Sequence, residues 1–277
     1  MVRSYQFTVA IGTTCLPLQR PEKEFDMDDW FTALSARTSL SACQVRDLHK
    51  TGFIIVPGPI PASEMPEFSA AYDEAVSSAA AADVAIGGST TRVSDFVNRS
   101  PIFDAVYLHE PVLEACCRVI EQPFKLSTML ARTLRPRTAA QELHVDFASN
   151  AQGWPMVGFI LMIDGFRREN GATCFIPGSQ GVQNAPTAGL VPALGPAGSL
   201  IIFNGSVWHG HGTNETHQPR RSLQGAFIRR TENSGGNLPA RMRAETLTRL
   251  TPLAKYLLEL QPYSHRCQEP ARARRRL

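Results

Sequence analysis

The run Met156-Val157-Gly158-Phe159-Ile160-Leu161-Met162-Ile163 is one of six short apolar or alternating segments in the second half of the chain. The other five are Phe124–Leu134, His144–Phe147, Gly171–Ile176, Ser199–Asn204 and Ser222–Ile228. Turns rich in Pro, Gly, Asn and Arg separate the segments, and no helical pattern lies between them. Many short strands joined by such turns are typical of antiparallel sandwiches and barrels. The sequence therefore predicts a β core that begins near residue 124.

Helices are expected to flank this core. The predicted helices are Asp28–Ser35, a helix that begins at Ser63, Pro101–Ile120 and Ala240–Glu259. Ser63 is typical of a helix N-cap because acidic residues follow it within one turn. Residues 78–91 are rich in Ala, Ser, Gly and Thr, which predicts a mobile loop. Together these patterns predict a single, mainly β domain with flanking helices.

Composition excludes several classes of protein. The chain has 277 residues, of which 43% are hydrophobic and 19% charged, so it can bury a sizeable core and is unlike a disordered protein. No run approaches the roughly 18 apolar residues that a membrane span needs, and the N-terminus lacks the pattern of a signal peptide. The six cysteines form no C-x-x-C pair, which favours reduced thiols. We therefore expect a cytoplasmic protein.

Positive charge is concentrated at the C-terminus. Five arginines and one glutamate lie in the last dozen residues, so the rest of the chain is close to neutral although the net charge is +3. A nucleic-acid-binding protein usually carries a basic face on its folded body. The sequence therefore predicts no nucleic-acid partner and a solvated basic tail.

Two motifs on separate predicted strands could together bind a metal ion. In His144-Val145-Asp146 the imidazole and the carboxylate are two residues apart, so on a strand they point to the same side. A second histidine follows in Trp208-His209-Gly210-His211-Gly212. Two imidazoles and one carboxylate form the facial triad of non-haem iron(II) oxygenases. Spacing favours His209 as the third ligand, and His211 remains the alternative.

A candidate anion site lies eleven residues after His209, at Arg220. Ser222 and Gln224 share the strand face of Arg220, which makes that face polar and favours Arg220 over Arg221 as the inward residue. A guanidinium beside a hydroxyl suits a ligand carboxylate.

Further residues near the site are weaker candidates. Met129 could line a cofactor pocket, and Arg92 and Asn98 could contact substrate. For Phe147 and Trp154 the sequence leaves two roles open, a wall of the substrate pocket or packing in the core.

Taken together, these motifs resemble the phytanoyl-CoA dioxygenase-like family of iron(II)/2-oxoglutarate-dependent oxygenases. The resemblance covers about residues 46–230, and residues 1–45 and 231–277 form an N-terminal extension and a C-terminal helix with the basic tail. It rests on the following motifs: the strand Gly52–Pro57 with the helix after Ser63, Asn170-Gly171-Ala172, Ile176-Pro177-Gly178-Ser179-Gln180, Gly198–Phe203, Trp208-His209-Gly210 and Arg220-Arg221-Ser222. Val145 and Gln180 depart from the family, in which Gln and His often stand there.

The resemblance implies a double-stranded β-helix core of the jelly-roll or cupin type. It implies that His144, Asp146 and His209 bind iron(II), that Arg220 binds the distal carboxylate of 2-oxoglutarate, and that O₂ is the second co-substrate. The expected activity is hydroxylation of an unactivated C–H in a small organic molecule, such as a secondary metabolite or a lipid-derived acid. Desaturation, epoxidation, rearrangement and a non-catalytic metal- or ligand-binding protein are the alternatives. Asp146 argues against the related halogenases, which have a small residue at that position.

Overall fold

The computed structural model describes residues 27–260. The strands are β1 (Phe53–Pro57), β2 (Val84–Ile86), β3 (Thr90–Val93), β4 (Phe124–Leu134), β5 (Met156–Met162), β6 (Thr173–Phe175), β7 (Val191–Pro192), β8 (Ser199–Asn204), β9 (His209–His211) and β10 (Arg220–Arg229). The helices are α1 (Met27–Ser35), α2 (Ala42–Thr51), α3 (Met65–Ser77), α4 (Asp104–Tyr107), α5 (Glu110–Ile120), α6 (Leu238–Arg241), α7 (Ala244–Arg249) and α8 (Pro252–Leu257). Most of the N-terminal extension and the basic tail lie outside the described residues.

Two antiparallel sheets form the β core that the sequence predicts. The larger has seven strands in the order β1-β8-β5-β10-β4-β3-β2, and the smaller has the order β7-β6-β9. The long strand β10 pairs with β4 on one side and β5 on the other. None of the helices in residues 27–260 is both long and apolar enough to cross a membrane.

The larger sheet has an apolar core on each side. Its outer face packs against the helices through a large cluster that includes Phe68, Phe103 and Phe227. Its inner face contributes Ile160 and Phe203 to a second cluster, which the smaller sheet completes. Strand β5 is buried along its whole length because both faces are covered.

The Asn-Gly motif closes a tight turn between the two sheets. The Asn170 side-chain amide donates to the Gly165 carbonyl at 2.8 Å and its oxygen accepts the Arg167 amide at 2.8 Å. Gly171 has φ +75°, and a Cβ there would lie 2.5 Å from a Leu134 methyl group. Only glycine fits this position without displacing its neighbours.

Several local predictions are wrong. Residues 78–91 are not a loop throughout, because β2 and β3 form a hairpin whose second strand pairs with β4. The helix after the first strand begins at Met65 with no side-chain cap, so Ser63 is not its N-cap. The predicted helix Pro101–Ile120 is a 3₁₀ turn followed by α4 and α5, and a new helix starts because Pro111 fits only a first turn.

The predicted C-terminal helix Ala240–Glu259 is also broken, into α6, α7 and α8. The Thr251 hydroxyl accepts the Ala254 amide, and Pro252 follows at the first helical position. A side-chain cap and a proline together start a new helix. The helix predicted at Asp28–Ser35 is present as α1.

Candidate active site

Backbone pairing brings the two predicted metal-binding motifs together. His144 and His209 form an antiparallel bridge, in which each amide donates to the carbonyl of the other residue at 3.0 and 2.9 Å. The Asp146 amide donates to the Gly205 carbonyl at 2.9 Å. The segment between β4 and β5 is thereby fixed against β9 and the turn that precedes it, and this pairing places all three side chains on one side.

The three side chains converge on one point. The candidate ligand atoms of His144, Asp146 and His209 all lie within 4.8 Å of one another. The two imidazole Nε2 atoms are 3.6 and 3.5 Å from the Asp146 carboxylate oxygens. This is a set of two imidazoles and one carboxylate with room for further ligands, as non-haem iron(II) sites require.

Backbone carbonyls orient both imidazoles. His144 Nδ1 is 3.2 Å from the Glu142 carbonyl and His209 Nδ1 is 2.9 Å from the Val207 carbonyl. A protonated Nδ1 leaves the Nε2 lone pair free for a metal ion. Burial lowers the pKa of His209, although the Asp146 carboxylate opposes this effect. A neutral imidazole is the form that binds metal.

His211 does not belong to the cluster of candidate ligands. Its Nε2 atom lies 3.1 Å from the Ser89 hydroxyl, and its Nδ1 atom lies 2.9 Å from the Gly212 carbonyl. The geometry therefore supports His209 as the third ligand.

Arg220, at the start of β10, provides a buried positive charge. Its side chain is 1% exposed, and its guanidinium carbon lies 4.0 Å from the centre of the Phe166 ring. Burial lowers the pKa of Arg220 to about 9, so the group is still charged at neutral pH. Its Nε and Nη1 atoms are buried and have no hydrogen-bond partner among residues 27–260. An unpartnered guanidinium of this kind fits a carboxylate ligand.

Arg221 points away from this site, as strand alternation predicts. It binds the Asp164 carboxylate at 2.7 Å and the Asp73 carboxylate at 2.6 Å. Ser222 shares the face of Arg220 and is fully buried. Its hydroxyl donates to the Arg132 carbonyl and accepts the Gln224 amide, each at 3.2 Å.

Residues 48–222 match the family model described as phytanoyl-CoA dioxygenase. The chain belongs to this family. The dioxygenase trt7 of Aspergillus terreus is 29% identical over 205 residues, which are 65% of this chain and 71% of the relative. The family predicted from the motifs, and with it an iron(II)/2-oxoglutarate-dependent dioxygenase, is confirmed.

Solved structures of similar fold support the predicted architecture. HygX from Streptomyces hygroscopicus, solved with nickel and 2-oxoglutarate, has a TM-score of 0.60 and 17% identity, covering 75% of this chain and 94% of HygX. The epimerase SnoN, in complex with Fe³⁺, alpha ketoglutarate and nogalamycin RO, has a TM-score of 0.58 and 18% identity, covering 74% and 88%. The mainly β fold with a double-stranded β-helix core is confirmed.

A pocket of about 330 Å³ opens beside the three candidate metal ligands of the dioxygenase. Its lining includes His144 and Asp146, together with several apolar side chains and the arginines Arg92 and Arg132. Arg92 lines it, and so does Phe147, which the sequence left open between a substrate wall and core packing. Trp154 packs against the large core instead. Asn98 is buried among its hydrogen bonds to Asp95 and to the backbone of α6 and residue 243.

The prediction that Met129 lines the cofactor pocket is wrong. Met129 is 1% exposed and belongs to the apolar cluster under the helices. Strand β4 has a bulge where Ala226 pairs with Thr128 and Phe227 pairs with Leu126. After this bulge the even-numbered residues of β4 face the pocket, so Met129 faces the helices.

Sequence reasoning missed Arg132 of the dioxygenase. It lies in β4 and lines the pocket, and its Nη2 atom donates to the Gln141 side chain at 3.0 Å. The available signal was a basic residue between apolar neighbours, Leu130 and Ala131 before it and Leu134 after it. Gln180, one of the two departures from the family pattern, donates to the His49 carbonyl at 2.8 Å and takes no part in the cluster.

Proposed function

We propose that this dioxygenase hydroxylates an unactivated C–H of a small, largely apolar organic molecule. His144, Asp146 and His209 would hold iron(II), and Arg220 would hold the distal carboxylate of 2-oxoglutarate. The observations that carry the proposal are the three-ligand cluster and the buried, unpartnered guanidinium of Arg220. The similar structures that hold nickel or iron together with 2-oxoglutarate support the same pair of ligands here.

Bound iron(II) and 2-oxoglutarate would supply the oxidising chemistry, in which 2-oxoglutarate and O₂ yield succinate and CO₂ and one oxygen atom passes to the substrate. The protein's own residues would hold the metal ion and position 2-oxoglutarate. Only three ligands come from the chain, so positions remain for 2-oxoglutarate and O₂. Arg220 fixes the far end of 2-oxoglutarate, and Phe166 stacks on the guanidinium and holds it in place.

The pocket walls would position the substrate and exclude water. Phe147, Met156 and Ile228 form an apolar surface beside the metal cluster. An apolar wall limits the hydrolysis and proton leakage that compete with oxidation. A C–H bond held near the metal by such a surface is attacked because of its position.

Succinate formation from 2-oxoglutarate in air, with iron(II) and ascorbate, tests the proposal. We expect slow turnover without added substrate, and its loss in Asp146→Ala together with loss of iron binding. His217→Ala, an exposed histidine outside the cluster, is the matched control and should keep both. Retained iron binding and turnover in folded Asp146→Ala would overturn the assignment of the triad.

Binding of 2-oxoglutarate tests the assignment of Arg220 separately. We expect Arg220→Gln to weaken binding by tenfold or more, since a charge-assisted hydrogen bond contributes about 1.5–3 kcal/mol. Ser222→Ala should have a smaller effect, because its hydroxyl already donates to the Arg132 carbonyl. Arg168→Gln, an exposed arginine, should leave the affinity unchanged. Unchanged affinity in Arg220→Gln would exclude Arg220 as the 2-oxoglutarate residue.

The mass of the product separates oxygen insertion, by hydroxylation or epoxidation, from desaturation and from rearrangement. Hydroxylation adds one oxygen atom, desaturation removes two hydrogen atoms, and rearrangement or epimerisation leaves the mass unchanged. The similar fold of the epimerase SnoN makes the last outcome the specific alternative to measure.

A further inference from the structure

A β-bulge places two neighbouring hydroxyl side chains in the pocket. Adjacent residues of a regular strand point to opposite faces, yet Ser127 and Thr128 of β4 both line the pocket. In the pairing of β4 with β10, Ala226 is opposite Thr128 and the next residue is opposite Leu126. Ser127 is therefore the extra residue of the bulge. Bulges are common beside active sites, where they redirect a side chain, and this one gives the pocket a second hydroxyl.

The protein itself uses neither hydroxyl. Ser127 and Thr128 are half-buried, and their side chains have no hydrogen-bond partner among residues 27–260. Other hydroxyls near the site are bound by main-chain carbonyls. Ser206 donates to the Phe147 carbonyl at 2.6 Å, and Ser222 donates to a carbonyl of β4 at 3.2 Å. The two hydroxyls of the bulge are therefore free to bind a ligand.

Both hydroxyls lie far along the sheet from Arg220. Arg220 is opposite Leu134, which is six residues from Thr128 on β4, and six residues of a strand span about 20 Å. The arginines of the pocket, Arg92 and Arg132, are paired with each other and lie nearer to Arg220 than to Thr128. A molecule of 2-oxoglutarate anchored at Arg220 is too short to reach the bulge, so the hydroxyls lie outside the proposed co-substrate site.

The surroundings of the two hydroxyls are apolar. Ala226, opposite Thr128, belongs to an apolar cluster that lines the pocket together with Phe147, Met156 and Ile228. A polar group is costly among such side chains unless it is hydrogen-bonded. Serine and threonine hydroxyls both donate and accept hydrogen bonds, so they suit an uncharged oxygen, which needs no counter-charge.

We propose that Ser127 and Thr128 bind a neutral oxygen atom, of a carbonyl or a hydroxyl group, in the substrate. The inference rests on the proposed function and names the substrate class, an apolar skeleton that carries at least one uncharged oxygen. The oxygen accepts hydrogen bonds from the two hydroxyls, and the skeleton lies along the apolar cluster beside the metal ligands. This contact fixes one end of the substrate, so the C–H presented to the metal is set by its distance from the oxygen.

Headspace partitioning of volatile probes over the full chain, loaded with Ni²⁺ and 2-oxoglutarate, tests the proposal without turnover. One probe set is camphor, borneol and bornane, and the other is 2-octanone, 2-octanol and octane, so each set offers a ketone, an alcohol and a hydrocarbon of one skeleton. In at least one set, we expect Ser127→Ala/Thr128→Val to bind the oxygenated probes about fivefold more weakly, as the loss of a neutral hydrogen bond predicts. The hydrocarbon should bind as it does to the parent protein.

Two further variants separate the hydroxyls from general effects on the sheet. Thr128→Ser keeps the hydroxyl and should retain most of the affinity for the oxygenated probes. Thr91→Val is the matched control and should change no affinity, because Thr91 is a half-buried hydroxyl of the neighbouring strand β3 outside the pocket lining. The proposal is overturned if the double variant loses ketone and hydrocarbon equally, if it loses neither, or if no oxygenated probe binds the parent protein.

The affinity for 2-oxoglutarate separates this proposal from the proposed function. It should fall in Arg220→Gln but stay within about twofold of the parent value in Ser127→Ala/Thr128→Val. An equal loss in the double variant would place the hydroxyls in the co-substrate site and overturn the proposal. Failure of 2-oxoglutarate to bind the unmodified protein would instead refute the proposed function, and the probe sets repeated with Ni²⁺ alone would still decide the role of the hydroxyls.

Discussion

The two faces of the strand pair β4–β10 have opposite chemistry. The face toward the helices carries Met129, Leu223 and Phe227, all of them buried in the large apolar core. The opposite face carries Arg132 and Gln224 and lines the pocket. Because successive residues of a strand point to opposite sides, the same stretch of chain supplies stability on one face and chemistry on the other. Substitutions on the two faces should therefore have separable effects.

The largest expected effect comes from truncating the core face. Phe227 is fully buried, with its ring centre 5.5 Å from that of Phe124 and 5.9 Å from that of Phe159. We expect Phe227→Ala to lower the free energy of unfolding by about 3–5 kcal/mol, since it leaves a cavity in a packed core. Urea unfolding followed by circular dichroism measures this loss.

The affinity of Phe227→Ala for 2-oxoglutarate should be unchanged wherever the variant is folded. The matched change on the pocket face is Gln224→Ala, which removes one partly exposed hydrogen bond and should alter stability by only about 1 kcal/mol. A similar loss of stability in the two variants would contradict the separation of the faces.

A smaller loss of stability is expected for a substitution of Arg229, the last residue of β10. The buried Arg229 guanidinium donates to Gln152 at 2.8 Å and to Asn150 and Glu232 at 3.2 Å each. These contacts join residues 147–153 to residues 231–236, two loops that include pocket-lining side chains. Arg229→Met removes the donors and leaves their partners unpaired, which should lower stability by about 2–3 kcal/mol.

Hydrogen exchange checks whether the effect of Arg229→Met is local. Exchange should speed up in the two joined loops and stay slow in β5, which is buried along its length. Arg37→Gln, which removes an exposed ion pair with Glu110, is the control and should change neither. Unchanged loop exchange in Arg229→Met would show that the loops are held by other contacts.

The core strands and the metal cluster could be predicted because their signals are local or simply periodic. His144 and Asp146 point to the same side because side chains alternate along a strand. The same alternation predicts that Arg220 points inward and Arg221 outward. The two long predicted helices are broken because new helices start at Pro111 and at Thr251-Pro252. The spacing of apolar residues, on which the prediction of these helices rested, does not detect such starts.

Residues that depend on register could not be predicted in the same way. The bulge in β4 exchanges inner and outer positions, so Met129 was assigned to the wrong side. The facing of Arg92 and Arg132 requires the pairing of β3 with β4, and residues 78–91 gave no sign of a hairpin. Such pairings are long-range and are fixed by the packed structure.

The smallest change in stability is expected for a substitution of Met129, which tests directly whether this side chain faces the helices. Met129→Leu conserves volume in the helix-side core and should change stability by less than about 1.5 kcal/mol. Because Met129 faces away from the pocket, the KM for 2-oxoglutarate should not change. Its neighbour Leu130 lines the pocket, so Leu130→Met makes an equally small change in volume on the other face and should alter the KM. A KM that responds to Met129→Leu and not to Leu130→Met would reverse the assignment of the two faces, and with it the placement of Arg132 in the pocket.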